Sequence, residues 1–251
     1  MPIRRVILAI LVASAATLAG VASVTSAPFS TVATADEVAV RGRRIQLQYA
    51  PTHVTFIADS GLKGLELYGG APTLRQANTT TQWELRMQTC RRLAQRGCSF
   101  NRSSPPIPAV DEIRLSGGPR DPSHVILMTV GHNDHPLWFR ADFETVMLSA
   151  RSLGYRRVAW ILYRDDPYPG LSSLGRELFA RYAGMNAIMR DEAASGRWPE
   201  LVLIDYDGFT QPHPEWFISD GIHLRPEGAD PLANWFAHAM LYSSTPALRV
   251  D

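Results

Sequence analysis

Short runs of apolar residues recur along the chain, separated by longer stretches whose apolar positions return every three or four residues. Residues 53–58, 125–130, 157–163 and 201–205 are near-continuous apolar runs bounded by turn-forming residues, and residues 83–87 form a weaker one. Runs of this length suit parallel strands covered on both faces. Helical periodicity predicts helices over about residues 141–153, 174–194 and 226–241. Gly154 stands where a helix-ending glycine belongs. In the second helix Leu174, Leu178, Tyr182, Met185 and Met189 make one apolar face. Strands alternating with helices predict βαβ units, hence an α/β fold: a three-layer α/β/α sandwich on a mainly parallel sheet. Residues 99–123 and 164–173 are polar and rich in Pro and Gly, and read as loops, the first with room for one short helix.

The N-terminus changes the picture of where the domain starts. Arg4 and Arg5 precede an apolar or small stretch over residues 6–24, and Ala33-Thr34-Ala35 supplies a small-x-small cleavage pattern before Asp36. The expectation is a signal peptide over residues 1–35, a lead-in over 36–52 and a single folded domain over 53–251, in a secreted or cell-envelope protein. The competing reading is an uncleaved anchor, the one route by which the chain would meet a membrane. Cleavage removes two arginines and no acid, taking the net charge from +1 to −1. Neither value points to nucleic acid or to an anionic surface as partner. In an oxidising compartment Cys90 and Cys98, eight positions apart, read as a small disulfide-closed loop. Of the 25 basic residues only Lys63 is lysine, a bias that suits a GC-rich bacterial genome.

Three segments carry candidate chemistry. Ala58-Asp59-Ser60-Gly61 follows the first strand, where a tight turn presents a serine hydroxyl beside free backbone N–H groups. Gly131-His132-Asn133-Asp134 ends the apolar run at 125–130; glycine permits an unusual backbone, and an asparagine amide donates without acting as a base. Asp220-Gly221-Ile222-His223 precedes the last helix, and the carboxylate of such a pair can hold the imidazole tautomer. Each segment alone is commonplace; their order and their placement at strand ends are not.

Together these motifs resemble the SGNH, or GDSL-like, hydrolases over about residues 53–241, and exported actinobacterial members with a Cys-Arg-Arg segment look similar. The resemblance implies a catalytic triad of Ser60, Asp220 and His223, with Ser60 attacking an ester carbonyl and His223 shuttling its proton. It implies an oxyanion hole made by the Asn133 side chain and the N–H groups of Ser60 and Cys90, with Asp59, Gly131 and Asp134 in support. Two positions depart from the family: Ala58 stands where glycine is usual, and Cys90 aligns with the oxyanion glycine. A Cys90–Cys98 disulfide would then brace the oxyanion loop. No metal and no organic cofactor is implied.

Around these motifs, Asp134 is expected to hydrogen-bond the nucleophile loop, and Trp138, Trp216 and Phe217 to belong to the core. Arg91 and Arg92 read as a solvated pair or as partners of nearby acids, and the 163–166 segment receives no chemical role. The functional expectation is a monomeric, exported serine esterase acting on small-molecule or glycan esters: acylated carbohydrate or small lipid esters of the cell envelope. The alternatives are an O-acyltransferase on cell-wall glycan and a degenerate domain that only binds glycan; Ala58 and Cys90 favour the latter, the intact Ser60, Asn133, Asp220 and His223 the former readings.

Overall fold

The computed structural model describes residues 50–99 and 104–243, all within the unit Ala35–Asp251. The expected signal peptide and nearly all of the lead-in lie outside the described residues. Five strands form one all-parallel sheet: β1 (His53–Ala58), β2 (Gln82–Met87), β3 (Val125–Met128), β4 (Val158–Ile161) and β5 (Leu201–Ile204), in the order β2-β1-β3-β4-β5. Their apolar side chains are buried on both faces in β3 and β4, which is why these strands read as continuous apolar runs.

Helices cover both faces, as the alternating pattern predicts. Three of them match the expected helices: α4 (Pro136–Ser152), α5 (Ser173–Ala194) and α7 (Pro226–Ser243). Helix α4 starts five residues earlier than periodicity indicates. Pro136 at the first turn is preset for a helix, and the His135 side chain caps the Leu137 N–H. Helix α3 (Ala109–Leu115) is the short helix inside the 99–123 stretch. The short helices α1 (Gly64–Leu67), α2 (Gly70–Ala77) and α6 (Tyr206–Thr210) carry too few turns for a periodic signal and were not expected.

The apolar face of α5 also differs from expectation. Leu174 is 57% exposed, and Gly175 and Phe179 face inward beside Tyr182, Met185 and Met189. The glycine faces inward because nothing larger fits: a Cβ on Gly175 would lie 2.7 Å from the Asp220 carbonyl oxygen. Gly154, at φ +88°, does close α4. Among the described residues no helix is long and apolar enough to cross a membrane.

The strand order has one functional consequence. The chain leaves β1 toward β2 on one side and returns through β3 on the other, which makes the carboxyl ends of β1 and β3 the switch point where open α/β sheets hold their ligands. The turn after β1 carries Ser60, and the loop after β3 carries Asn133.

Candidate active site

The turn after β1 is built around Asp59. Its carboxylate is fully buried, accepts the Gly61 N–H at 3.0 Å and the Gly131 N–H at 3.4 Å, and takes His132 Nδ1 at 3.1 Å. One carboxylate thereby shapes the serine turn and ties it to the loop after β3. The His132 ring is wedged against Tyr163 and Tyr182, with centroids at 4.7 and 5.1 Å. Gly131, at φ +145°, lies so close to the Tyr163 hydroxyl that a Cβ would meet it at 2.0 Å. That hydroxyl donates to the Val130 carbonyl at 2.7 Å, and the Tyr182 hydroxyl donates to the His132 carbonyl at 3.3 Å. The expected turn at Gly131 is therefore set by aromatic side chains from β4's end and α5.

Asp134 does not bond the nucleophile loop, contrary to expectation. Its carboxylate, fully buried, accepts the Leu93 N–H at 3.1 Å and lies 3.7 Å from Arg92 Nε. Asp59 makes the tie that was assigned to Asp134, because it already sits inside the turn. Burial pushes the Asp134 carboxyl up to about 7, with the Leu93 N–H and Arg92 only partly offsetting it.

The loop after β2 holds Cys90 at φ +63°, the one non-glycine residue with positive φ among those described. This is the backbone region that glycine favours and L side chains enter at a cost, so Cys90 holds the conformation expected of a glycine at this position. Cys90 is disulfide-bonded to Cys98, with Cα atoms 5.3 Å apart. Gly97 packs directly beneath: a Cβ there would lie 1.9 Å from the Cys90 carbonyl oxygen. The Asn133 amide donates to the Arg91 carbonyl at 3.1 Å, which fastens it to this loop and leaves its second N–H uncommitted. The backbone N–H groups of Ser60 and Cys90 bond no described residue. Arg91 is not solvated: it is fully buried, paired with Glu112 at 2.6 Å and donating to the Arg86 carbonyl at 2.5 Å.

The third segment turns back on itself at Gly221, φ +75°. Asp220 Oδ1 accepts the N–H groups of Ile222 and His223 at 2.9 and 3.0 Å, and Oδ2 accepts His223 Nδ1 at 2.7 Å. With Nδ1 donating, Nε2 is the nitrogen left to accept a proton. The hydrogen bond to Asp220 raises the His223 pKa; burial opposes it, and the charges of Asp220 and Asp59 add to the rise. Burial pushes the Asp220 carboxyl up, but the hydrogen bonds from His223 and Ile222 outweigh it and the net shift is downward.

The three segments converge. A Cβ on Gly61 would lie 3.3 Å from Ile222 Cγ2 and 3.4 Å from His132 Cε1, and one on Gly64 would meet Leu224 Cβ at 2.8 Å. The residues flanking Ser60 are thus in contact with those flanking His223. The Ser60 hydroxyl itself is half-buried and hydrogen-bonds no described residue. Trp216 and Phe217 are core residues as expected, whereas Trp138 is 54% exposed on the first turn of α4. Among the described residues no group of three His, Cys, Asp or Glu side chains is arranged to hold a metal.

No protein-family model and no curated protein matches the chain. Solved structures do. LAE5, an alpha/beta hydrolase enzyme from the metagenome of Lake Arreo, Spain, superposes with a TM-score of 0.52 at 14% identity, over 78% of this chain and 98% of its own. A carbohydrate acetylesterase family member from Sinorhizobium meliloti superposes with a TM-score of 0.50 at 15% identity, over 79% of this chain and 97% of its own. At these identities the likeness is one of fold: the three-layer α/β/α sandwich expected from the sequence.

Proposed function

We propose that the chain is a serine ester hydrolase of the SGNH (GDSL-like) type. The observation that carries this reading is the Asp220–His223 pair, with Nδ1 anchored at 2.7 Å and Nε2 free, in a loop packed against the turn that presents Ser60. Ser60 Oγ attacks the ester carbonyl while His223 Nε2 takes its proton; Asp220 holds the tautomer and stabilises the imidazolium. The developing oxyanion is met by the uncommitted Asn133 N–H and by the N–H groups of Ser60 and Cys90. Proton return from His223 expels the alcohol, and water, activated in the same way, releases the acid from the acyl-enzyme. The substrate class proposed is acylated carbohydrate or small lipid esters of the cell envelope, with the protein exported through residues 1–35. The disulfide agrees with that setting.

The test is hydrolysis of p-nitrophenyl acetate and butyrate by the full chain beside Ser60→Ala and His223→Ala. Turnover in the wild type, abolished in both folded variants, is the expected result. An inert wild type whose Ser60 takes no label from a fluorophosphonate probe would overturn the hydrolase reading. Adding a glycan acceptor to the same assay separates acyl transfer from hydrolysis.

A further inference from the structure

Arg164 received no role in the sequence and takes no part in the triad chemistry, yet its setting is unusual. It lies three residues beyond β4, only 3% exposed. Its guanidinium carbon stands 4.2 Å from the centroid of the Phe217 ring, 5.1 Å from that of Tyr168 and 5.6 Å from that of Phe179. One hydrogen bond leaves this aromatic cage: Nη1 donates to the Gly221 carbonyl at 2.9 Å. Nε and Nη2 are buried without a partner. Buried unpaired donors on a cation are costly, and a well-packed apolar side chain would serve a core better.

The backbone that launches Arg164 is pinned on both sides. The Asn186 amide accepts the Tyr163 N–H at 2.8 Å and donates to the Tyr163 carbonyl at 2.7 Å and to Asp165 Oδ2 at 2.8 Å. The same segment, continuing into α5, holds the acid–base loop at three successive carbonyls. Ser172 N–H donates to the Ser219 carbonyl at 2.8 Å, Gly175 leaves space for the Asp220 carbonyl, and Arg164 takes the Gly221 carbonyl. Gly221 is the residue whose positive φ lets Asp220 and His223 meet, and a Cβ on it would strike Phe179 and Leu171 at 2.7 and 2.8 Å.

We propose that Arg164 is a positioning residue: its caged guanidinium holds the Gly221 carbonyl and so fixes the left-handed turn that aims His223 Nε2. This rests on the hydrolase reading for its effect on rate, but not for its effect on the Asp220–His223 hydrogen bond. A rigidly held base is worth far more than a mobile one, since a misplacement of about 1 Å costs on the order of a hundredfold in rate.

The experiment compares Arg164→Met, which keeps an unbranched chain in the cage but no donor, with Arg164→Lys, which restores one. Met189→Ala serves as a destabilised control, its cavity about 24 Å along α5 from Ser173. Each is read by ester hydrolysis and by the proton NMR signal of His223 Nδ1–H. The expected result for Arg164→Met is a kcat about 10- to 100-fold lower with KM within about twofold, and a broadened or lost Nδ1–H signal. Arg164→Lys recovers part of both, and the control alters neither. If Arg164→Met keeps wild-type kcat and signal, or if the control loses as much, the proposal is wrong. Should Arg164→Met not fold, Phe217→Leu opens the cage while leaving the charge, and a wild-type Nδ1–H signal in it would count against the proposal. An inactive wild type with a sharp Nδ1–H signal that Arg164→Met abolishes would refute the hydrolase reading and leave the positioning role standing.

Discussion

Both ends of the sheet carry an aspartate–histidine pair, and His223 at one end behaves oppositely to His124 at the other. At the carboxyl end His223 is raised by its bond to Asp220 and has its second nitrogen unengaged. At the amino end His53 pairs with Asp121 at 2.8 Å, and the neighbouring His124 is fully engaged: it bonds Thr55 Oγ1 through Nε2 at 3.0 Å and accepts the Arg120 N–H through Nδ1 at 3.0 Å. Burial pushes His124 down to about 4, with the nearby His53 adding to the fall. His53, Thr55 and His124 line a cavity of about 190 Å³ with Trp83, Glu84 and Arg120. The pairing of Asp with His is thus no signature of chemistry. What sets His223 apart from His53 is its place beside a serine turn and N–H groups that bond no described residue; His124 differs further in having its ring closed on both sides.

The sharpest way to break this comparison is to make one change at each end. Asp220→Asn is expected to lower kcat about 10³- to 10⁴-fold, because the amide favours the wrong tautomer. Only neutral His223 acts as a base, so wild-type activity is lost as pH falls through a His223 pKa lying above 6.5. In the variant the residual activity should persist to lower pH, and a kcat–pH profile checks both points. An unshifted acid limb would mean that Asp220 does not govern His223.

Stability should respond to pH in opposite directions at the two ends. Asp134 has a folded pKa above its unfolded one, so its burial is tolerated below about 4 and becomes costly as pH rises to about 7. Asp134→Asn, which still accepts from Leu93, should gain on the wild type by on the order of 2 kcal/mol between pH 5 and pH 8. His124 has a folded pKa below its unfolded one, so its stabilising effect is full above 6.5 and lost as pH falls toward 4. His124→Gln should therefore gain on the wild type by about 1–2 kcal/mol on going from pH 7.5 to pH 5. Differential scanning calorimetry at the paired pH values measures both; equal offsets at each pH would contradict them. The smallest effect is expected from Asp121→Asn, a half-exposed site, at under about 1 kcal/mol with kcat/KM unchanged. A fall in kcat/KM there would show that the amino end communicates with the other.

The strands, the long helices and the turns of the candidate site were legible because each leaves a local mark. Apolar runs mark doubly covered strands, and Asp220-Gly-Ile-His223 places a flexible residue inside a pair that must fold back. What stayed hidden depends on contacts between distant segments. Nothing local tells that Asp59 rather than Asp134 ties the serine turn to the loop after β3, since both are short acids beside a motif residue. The inward face of α5 was misjudged because Leu174 looks apolar while Gly175 looks neutral, and only the Asp220 carbonyl decides between them. Arg164 left no local mark for the same reason: its partners Phe217 and Gly221 lie more than fifty positions away.

The positions of the three candidate residues along the chain also set a schedule. Ser60 leaves the ribosome early, while Asp220 and His223 come 160 and 163 positions later, behind the last strand. A chain still under synthesis can therefore hold its serine turn for most of its manufacture without owning a base to activate it. On the proposed mechanism the reactive centre comes into being with the final loop, so a truncated product is expected to be silent and not merely weakened.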